Sequence, residues 1–180
     1  MKAEKETVIK ASKGDKDAFA KLYHCFYKDF YNFALYSLGN PEDAADVVAD
    51  AFVEIWRNIR KLRNPEAFST WAFRILEIRC KKEISGKVER RKIFCFDELV
   101  EIPSPGSENF EEDFAEEVAL ATALGELDPE ERTIVVLSVI YGYTRREISG
   151  IIGKPQGTVG SKLFRAYAKL RKRMEQKELR

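Results

Sequence analysis

Three times in this chain an asparagine or aspartate stands directly before proline and glutamate: Asn40-Pro41-Glu42, Asn64-Pro65-Glu66 and Asp128-Pro129-Glu130. Each is a helix start. The Asn or Asp side chain caps the first free N–H groups, proline suits the first turn because its missing N–H is not needed there, and the acids face the positive end of the helix dipole. Apolar residues then recur three or four apart, and no alternating run makes a convincing strand. An all-α fold is predicted. A first helix is expected from about Lys2 to Ser12, and Gly14-Asp15 breaks and recaps the chain. A long helix from about Lys16 to Leu38 carries the stripe Phe19, Leu22, Tyr23, Phe26, Phe30, Phe33 and Ala34, and Gly39 closes it. The helix from Pro41 to about Leu62 buries Ala44, Val48, Phe52, Ile55, Ile59 and Leu62; the one from Pro65 to about Ser85 buries Phe68, Trp71, Ile75 and Ile78.

A different pattern occupies Thr144 to Arg165. Thr144 with Glu147 forms a capping box, Ile148, Ile151 and Ile152 make an apolar face, and Gly153 is placed to end the helix in a left-handed conformation. After Lys154-Pro155 a longer helix turns Val159, Leu163, Ala166 and Leu170 inward, leaving Ser161, Lys162, Arg165 and Lys169 on another face. Lys and Arg bond phosphates and guanine edges, so this helix-turn-helix suits the major groove of DNA.

A net charge of +1 argues at first against nucleic acid. The distribution reverses that argument. From Thr144 to Arg180 there are eleven Lys and Arg against three Glu, and from Arg74 to Lys92 eight against three, while Asp97 to Glu117 holds nine carboxylates and no base. Screening confines a charge's reach to about 10 Å, so local blocks decide what DNA feels. Cys25, Cys80 and Cys95 lack the spacing of a metal site or redox pair, and His24 is the lone histidine, so no metal, cofactor or catalytic centre is expected. With no apolar run long enough to span a bilayer and no signal-peptide core at Met-Lys-Ala-Glu, a cytoplasmic protein is expected. Ile102-Pro103-Ser104-Pro105-Gly106-Ser107 reads as a linker, giving helical domains at 1–92 and 113–180 joined by an acidic segment at 93–112.

Two blocks carry a family likeness. The first contains Gly14-Asp15, Asp17-Ala18-Phe19, the run from Pro41 through Asp46, Asp50 and Phe52 to Trp56, and Phe68-Ser69-Thr70-Trp71. The second contains Leu127-Asp128-Pro129-Glu130-Glu131-Arg132 and, most specifically, Gly157-Thr158-Val159 with Ser161 and Arg165-Ala166. In these residues the chain resembles the bacterial sigma factors of the extracytoplasmic-function (ECF) group of the sigma-70 family, the blocks matching regions 2 and 4. The resemblance implies a protein that binds core RNA polymerase, carries it to promoter DNA and starts strand opening without catalysing a covalent reaction. It assigns the polymerase clamp contact to Asp46, Ala49, Asp50, Glu54 and Arg57. Binding of −10 DNA falls to Trp71, Arg74, Arg79, Lys81 and Lys82, extended by Arg90, Arg91 and Lys92, with Phe73 a further candidate for base stacking. Trp71 also fits the core stripe. The −35 contacts fall to Thr158, Ser161, Lys162, Arg165 and Lys169, with Arg145 and Arg146 on the DNA backbone. The acidic segment resembles the one that threads toward the polymerase channel, and equally reads as a spacer. An anti-sigma factor is an implied partner.

The chain departs from the family pattern at Ala49, where Gln is usual, at Ala72, Ile78 and Lys82, often Leu, Asn and Asp, and at Gly160 and Tyr167, where basic residues are common. Promoter preference therefore does not transfer. A stand-alone helix-turn-helix regulator, with the first block as a dimerisation or effector module, is the alternative reading. A helical interaction protein that mimics a sigma factor is a third.

Overall fold

Two of the three start signals, at Pro41 and Pro129, open α-helices where the sequence places them, and the third, at Pro65, opens a 3-10 turn. The structure, a computed structural model, describes residues 3–91, 124–125 and 127–178. Its helices among these residues are α1 (Lys5–Ser12), α2 (Lys16–Leu38), α3 (Pro41–Asn58), α4 (Phe68–Arg91), α5 (Pro129–Val135), α6 (Arg145–Ile152) and α7 (Gln156–Glu178). Asp15, Asn40 and Asp128 each accept the backbone N–H three residues on, at 3.0, 3.1 and 2.9 Å. The expected linker at Ile102–Ser107, the acidic segment 93–112, the start of the second unit at 113, the side chains of Arg90 and Arg91, Lys92 and Cys95 all lie outside the described residues.

Two boundaries move. Asn64 precedes a proline and takes an extended conformation (φ −115°, ψ 105°), which the proline ring imposes on its predecessor. The α-helix of α3 stops at Asn58, and Ile59–Lys61 tightens into a 3-10 turn. Pro65–Ala67 forms a second 3-10 turn, and α4 proper begins only at Phe68. It continues beyond Gly86 to Arg91, through a charged segment without an apolar stripe to announce it.

Phe26, Phe30 and Phe33 of α2 are fully buried, and Phe30 meets the rings of Phe26, Phe52 and Phe73 at 5.6, 5.1 and 5.0 Å. Of the stripe expected on α4, Phe68 and Ile75 are buried, Trp71 is half-buried beside Phe68, and Ile78 is 51% exposed, while Ala72, Phe73, Leu76 and Cys80 also face the core. The cause is tertiary: α4 packs on α2 and α3 with one side and on α6 with another, so its buried surface is wider than one stripe. Phe73, a candidate for stacking DNA bases, is instead a core residue wedged between Phe30, Phe33, Tyr141 and Tyr143. On α2, Tyr23 lies at the surface and not in the core.

The two helical units share an apolar core. The α5 helix runs into a π-turn, Val136–Ile140, which delivers Tyr141 and Tyr143 onto Phe73. The Tyr141 hydroxyl donates to the Asp29 carbonyl of α2 at 2.6 Å, and burial pushes its ionisation far above the usual tyrosine range. Arg132 is the second fastener. Its guanidinium donates to the carbonyls of Tyr36 and Ser37, at the end of α2, at 3.3 and 3.5 Å. It also reaches the carbonyls of Leu124, Gly125 and Leu127. With no basic residue in its own last turn, α2 receives from Arg132 the positive charge that its carboxyl end favours. No helix among the described residues is long and apolar enough to cross a membrane.

Candidate nucleic-acid interface

The helix-turn-helix is built as its capping residues dictate. Thr144 and Glu147 form the reciprocal box, with the Thr144 N–H donating to the Glu147 carboxylate at 2.8 Å and the Glu147 N–H to the Thr144 hydroxyl at 3.3 Å. Gly153, at φ +68°, turns the chain from α6 toward α7 in the left-handed region that glycine occupies without strain. Ile148, Ile151 and Ile152 pack inward, as do Val159, Leu163 and Ala166 of α7. That anchoring fixes which side of α7 faces water. Ser161 and Arg165 are exposed, the Ser161 hydroxyl resting on the Thr158 carbonyl at 3.0 Å and the Arg165 Nε donating to the Ser161 carbonyl at 3.4 Å.

The other two basic residues expected on this face turn toward α5. Lys162 is largely buried between Asp128 and Glu130, at 3.8 and 3.4 Å, and Lys169 pairs with the buried Glu131 at 2.5 Å. Arg145 and Arg146 are exposed at the start of α6, and the Arg145 guanidinium lies 3.9 Å from where a Cβ on Gly160 would stand. Thr158 is half-buried. One residue escaped the sequence reading. Phe164 is 77% exposed between Ser161 and Arg165. Its position on the helix, off the inward stripe of Val159, Leu163, Ala166 and Leu170, was legible in the sequence.

On α4 the basic residues divide into three groups. Arg74 donates to the Gly150 carbonyl of α6 at 2.7 Å, and Lys81 reaches the Ile152 carbonyl at 3.5 Å while pairing with Glu77 at 2.5 Å. Arg79 turns the other way and binds Glu54 and Asp50 of α3 at 2.7 and 3.1 Å. Lys82 is exposed. Glu77 is almost wholly buried, and burial raises its carboxyl above the usual range, with Glu130 adding to the rise and Lys81 and Arg74 opposing it. A raised carboxyl stabilises the fold as it takes up its proton and works against it once ionised. Glu77→Gln is therefore expected to raise the urea midpoint at neutral pH, and the gap from the parent protein should close as pH falls through the Glu77 range. A gap that widens on acidification would contradict this sign.

The outer face of α3 presents Asp46, Ala49, Asp50 and Arg57 to solvent, with Glu54 half-exposed. Val53, also passed over, stands 48% exposed among them.

Comparison with known proteins decides what these surfaces belong to. Residues 22–89 match the family profile of sigma-70 region 2, and residues 117–170 match that of sigma-70 region 4. The chain belongs to the sigma-70 family, in its ECF group. This sigma factor is 29% identical to the RNA polymerase sigma factor SigV of Bacillus subtilis, over 84% of its own length and 88% of the relative's. It is 27% identical to the ECF sigma factor SigW of the same organism, over 94% and 96%. Among solved structures it shares the fold of CnrH in complex with the cytosolic domain of CnrY, with a TM-score of 0.71, 23% identity and coverage of 95% and 96%. Its activity is that of a promoter-directing sigma factor in transcription initiation. The stand-alone regulator is not favoured, because the region 2 match accounts for the first helical unit.

Proposed function

We propose that this sigma factor divides its work among three helices: α3 docks on the polymerase clamp, α4 takes the −10 strand and α7 reads the −35 duplex. The observation that carries the reading is the outward stripe of α7. Ser161, Phe164 and Arg165 stand in solvent on a helix whose opposite side is locked into the core. Arg165 is placed for a guanine edge and Phe164 for a thymine methyl, while Arg145 and Arg146 serve the DNA backbone. Lys162 and Lys169, held by Glu130 and Glu131, set the tilt of α7 and contact phosphate only where those pairs open. Thr158 sits at the entry of the same helix.

The α3 assignment uses Asp46, Ala49, Asp50, Glu54 and Arg57, with Val53 as an apolar centre inside a charged rim. On α4, Arg74, Lys81 and Lys82 supply phosphate contacts. Arg79 braces the α3 acids, and Trp71 offers one half-buried face. The working domains are 1–92 and 113–180, joined by 93–112. The protein acts in the cytoplasm without chemistry of its own. An anti-sigma factor is its restraining partner, a reading supported by the CnrH structure, whose chain carries CnrY.

Arg165→Ala is expected to lower discrimination between promoter and scrambled −35 duplexes by about 1–3 kcal/mol, roughly fivefold to 150-fold, with association to core polymerase unchanged. Phe164→Ala should relax preference at one A·T position by a smaller factor. The check is a competition binding series with holoenzyme, run beside a core-association assay. Equal loss in both assays for Arg165→Ala would point to damage to the fold and defeat the assignment.

A further inference from the structure

The first two turns of α7 carry a single cation of their own, Lys162, and Asp128 and Glu130 hold it toward α5. The free charge beside these turns comes from α6. Arg145 is exposed in the first turn of α6, has no ion-pair partner among the described residues, and brings its guanidinium to 3.9 Å from where a Cβ on Gly160 would stand. Gly160 sits inside α7 and is not among the glycines of positive φ, so the backbone does not ask for glycine there. A lone Cβ would also fit, at an ordinary contact distance. Inside a helix glycine is nonetheless a weaker choice than alanine. What it provides is room beyond the Cβ: a long side chain at 160 would run into the Arg145 guanidinium, and a cationic one would also repel it. Residue 160 lies one turn before Phe164, so the guanidinium rests at the edge of the exposed stripe that holds Ser161, Phe164 and Arg165.

We propose that Arg145 and Gly160 form one DNA-contact unit, in which the gap at Gly160 seats the Arg145 guanidinium beside α7 and Arg145 binds the phosphate facing the start of that helix. The contact rests on the reading of α7 as the −35 helix. In this way α6 lends α7 a cation that its own first turns do not offer. A phosphate contact sets how α7 sits in the groove and reads no base, so Arg145 governs register while Arg165 governs sequence. The two positions are therefore coupled. They share one phosphate: a cation at either position serves it, and cations at both do not add.

Salt dependence tests this in the full chain. Anisotropy with a fluorescein-labelled, random-sequence 20-bp duplex gives the slope of log affinity against log salt, to which each phosphate contact contributes about 0.9. Arg145→Ala is expected to lower the magnitude of that slope by about one in the parent protein. In a Gly160→Lys background the same substitution should change it by less than about 0.3, because the lysine already serves the phosphate. Gly160→Gln separates space from charge. Its long neutral side chain displaces Arg145 and replaces nothing, so it should lower the slope by about one with Arg145 still present in the chain.

Equal loss from Arg145→Ala in the parent and Gly160→Lys backgrounds would show that the two positions meet different phosphates, and would overturn the shared contact. A Gly160→Gln slope equal to that of the parent would overturn it as well, since the gap would then not be what seats Arg145. A slope indifferent to Arg145→Ala, beside discrimination lost with Arg165→Ala in the competition series, would overturn the role of Arg145 and leave α7 as the −35 helix. Indifference of the slope to Arg145→Ala and of discrimination to Arg165→Ala would overturn the reading of α7, and the shared contact with it.

Discussion

Phe30→Ala is expected to destabilise the protein by about 3–5 kcal/mol. Phe30 is fully buried at the junction of α2, α3 and α4, with Phe26, Phe52 and Phe73 all within 5.6 Å between ring centroids. Removing the ring forfeits its transfer from water and leaves a cavity that three other rings, held by their own helices, cannot close. Each lost edge or stacked pair adds about 0.5–1.5 kcal/mol beyond area burial. Urea denaturation followed by circular dichroism gives the measurement, and Phe30→Leu should recover much of the loss because it refills most of the volume. A loss below about 1 kcal/mol for the alanine variant would mean that the three-ring junction is not formed as described. Because Phe73 also carries Tyr141 and Tyr143, part of the damage should reach the second helical unit.

Arg132→Ala is expected to cost about 2–4 kcal/mol, since hydrogen bonds from a charged donor contribute more than neutral ones and their carbonyl partners are left unpaired. The guanidinium gathers five carbonyls from two places in the chain: the end of α2 and the segment just before α5. Arg132→Lys should not rescue, because a single ammonium cannot span the spread that the planar fork covers. The pattern of loss distinguishes this variant from Phe30→Ala. Hydrogen exchange should speed up across α5–α7 while the centre of α2 keeps its protection, because the fastener goes and the aromatic core stays. Uniform acceleration through α2 and α3 would assign Arg132 to the main core instead.

Much of this molecule was legible from local rules. Asn40, Asn64 and Asp128 announced helix starts because a side-chain cap and a proline act within a few residues, and the capping box at Thr144 and Glu147 formed for the same reason. The inward stripes of α3 and α7 were readable because each helix buries one face. On α4 the reading slipped: Ile78 was placed inside and is exposed, and Phe73 was offered to DNA and is core. That helix is buried on two sides, and periodicity reports only one. Phe164 and Val53 lie off the buried stripes and stand exposed, and a search for charged and polar DNA or polymerase contacts does not single out an apolar side chain.

The basic residues show the same limit. Lys162, Arg165 and Lys169 are equivalent cations in sequence, yet Lys162 and Lys169 are held by α5 acids and Arg165 faces water. Local chemistry along the chain, the caps, the prolines, the glycine turn and the spacing of apolar residues, was enough to determine an all-α protein with a helix-turn-helix and two basic blocks. Only the tertiary structure decided that Arg74 and Lys81 end on α6, that Arg79 braces α3, and that Arg132 closes α2. The reason is range. A cap or a turn is settled by neighbours in sequence, whereas the partner of a long charged side chain is settled by whichever helix packing brings within its reach.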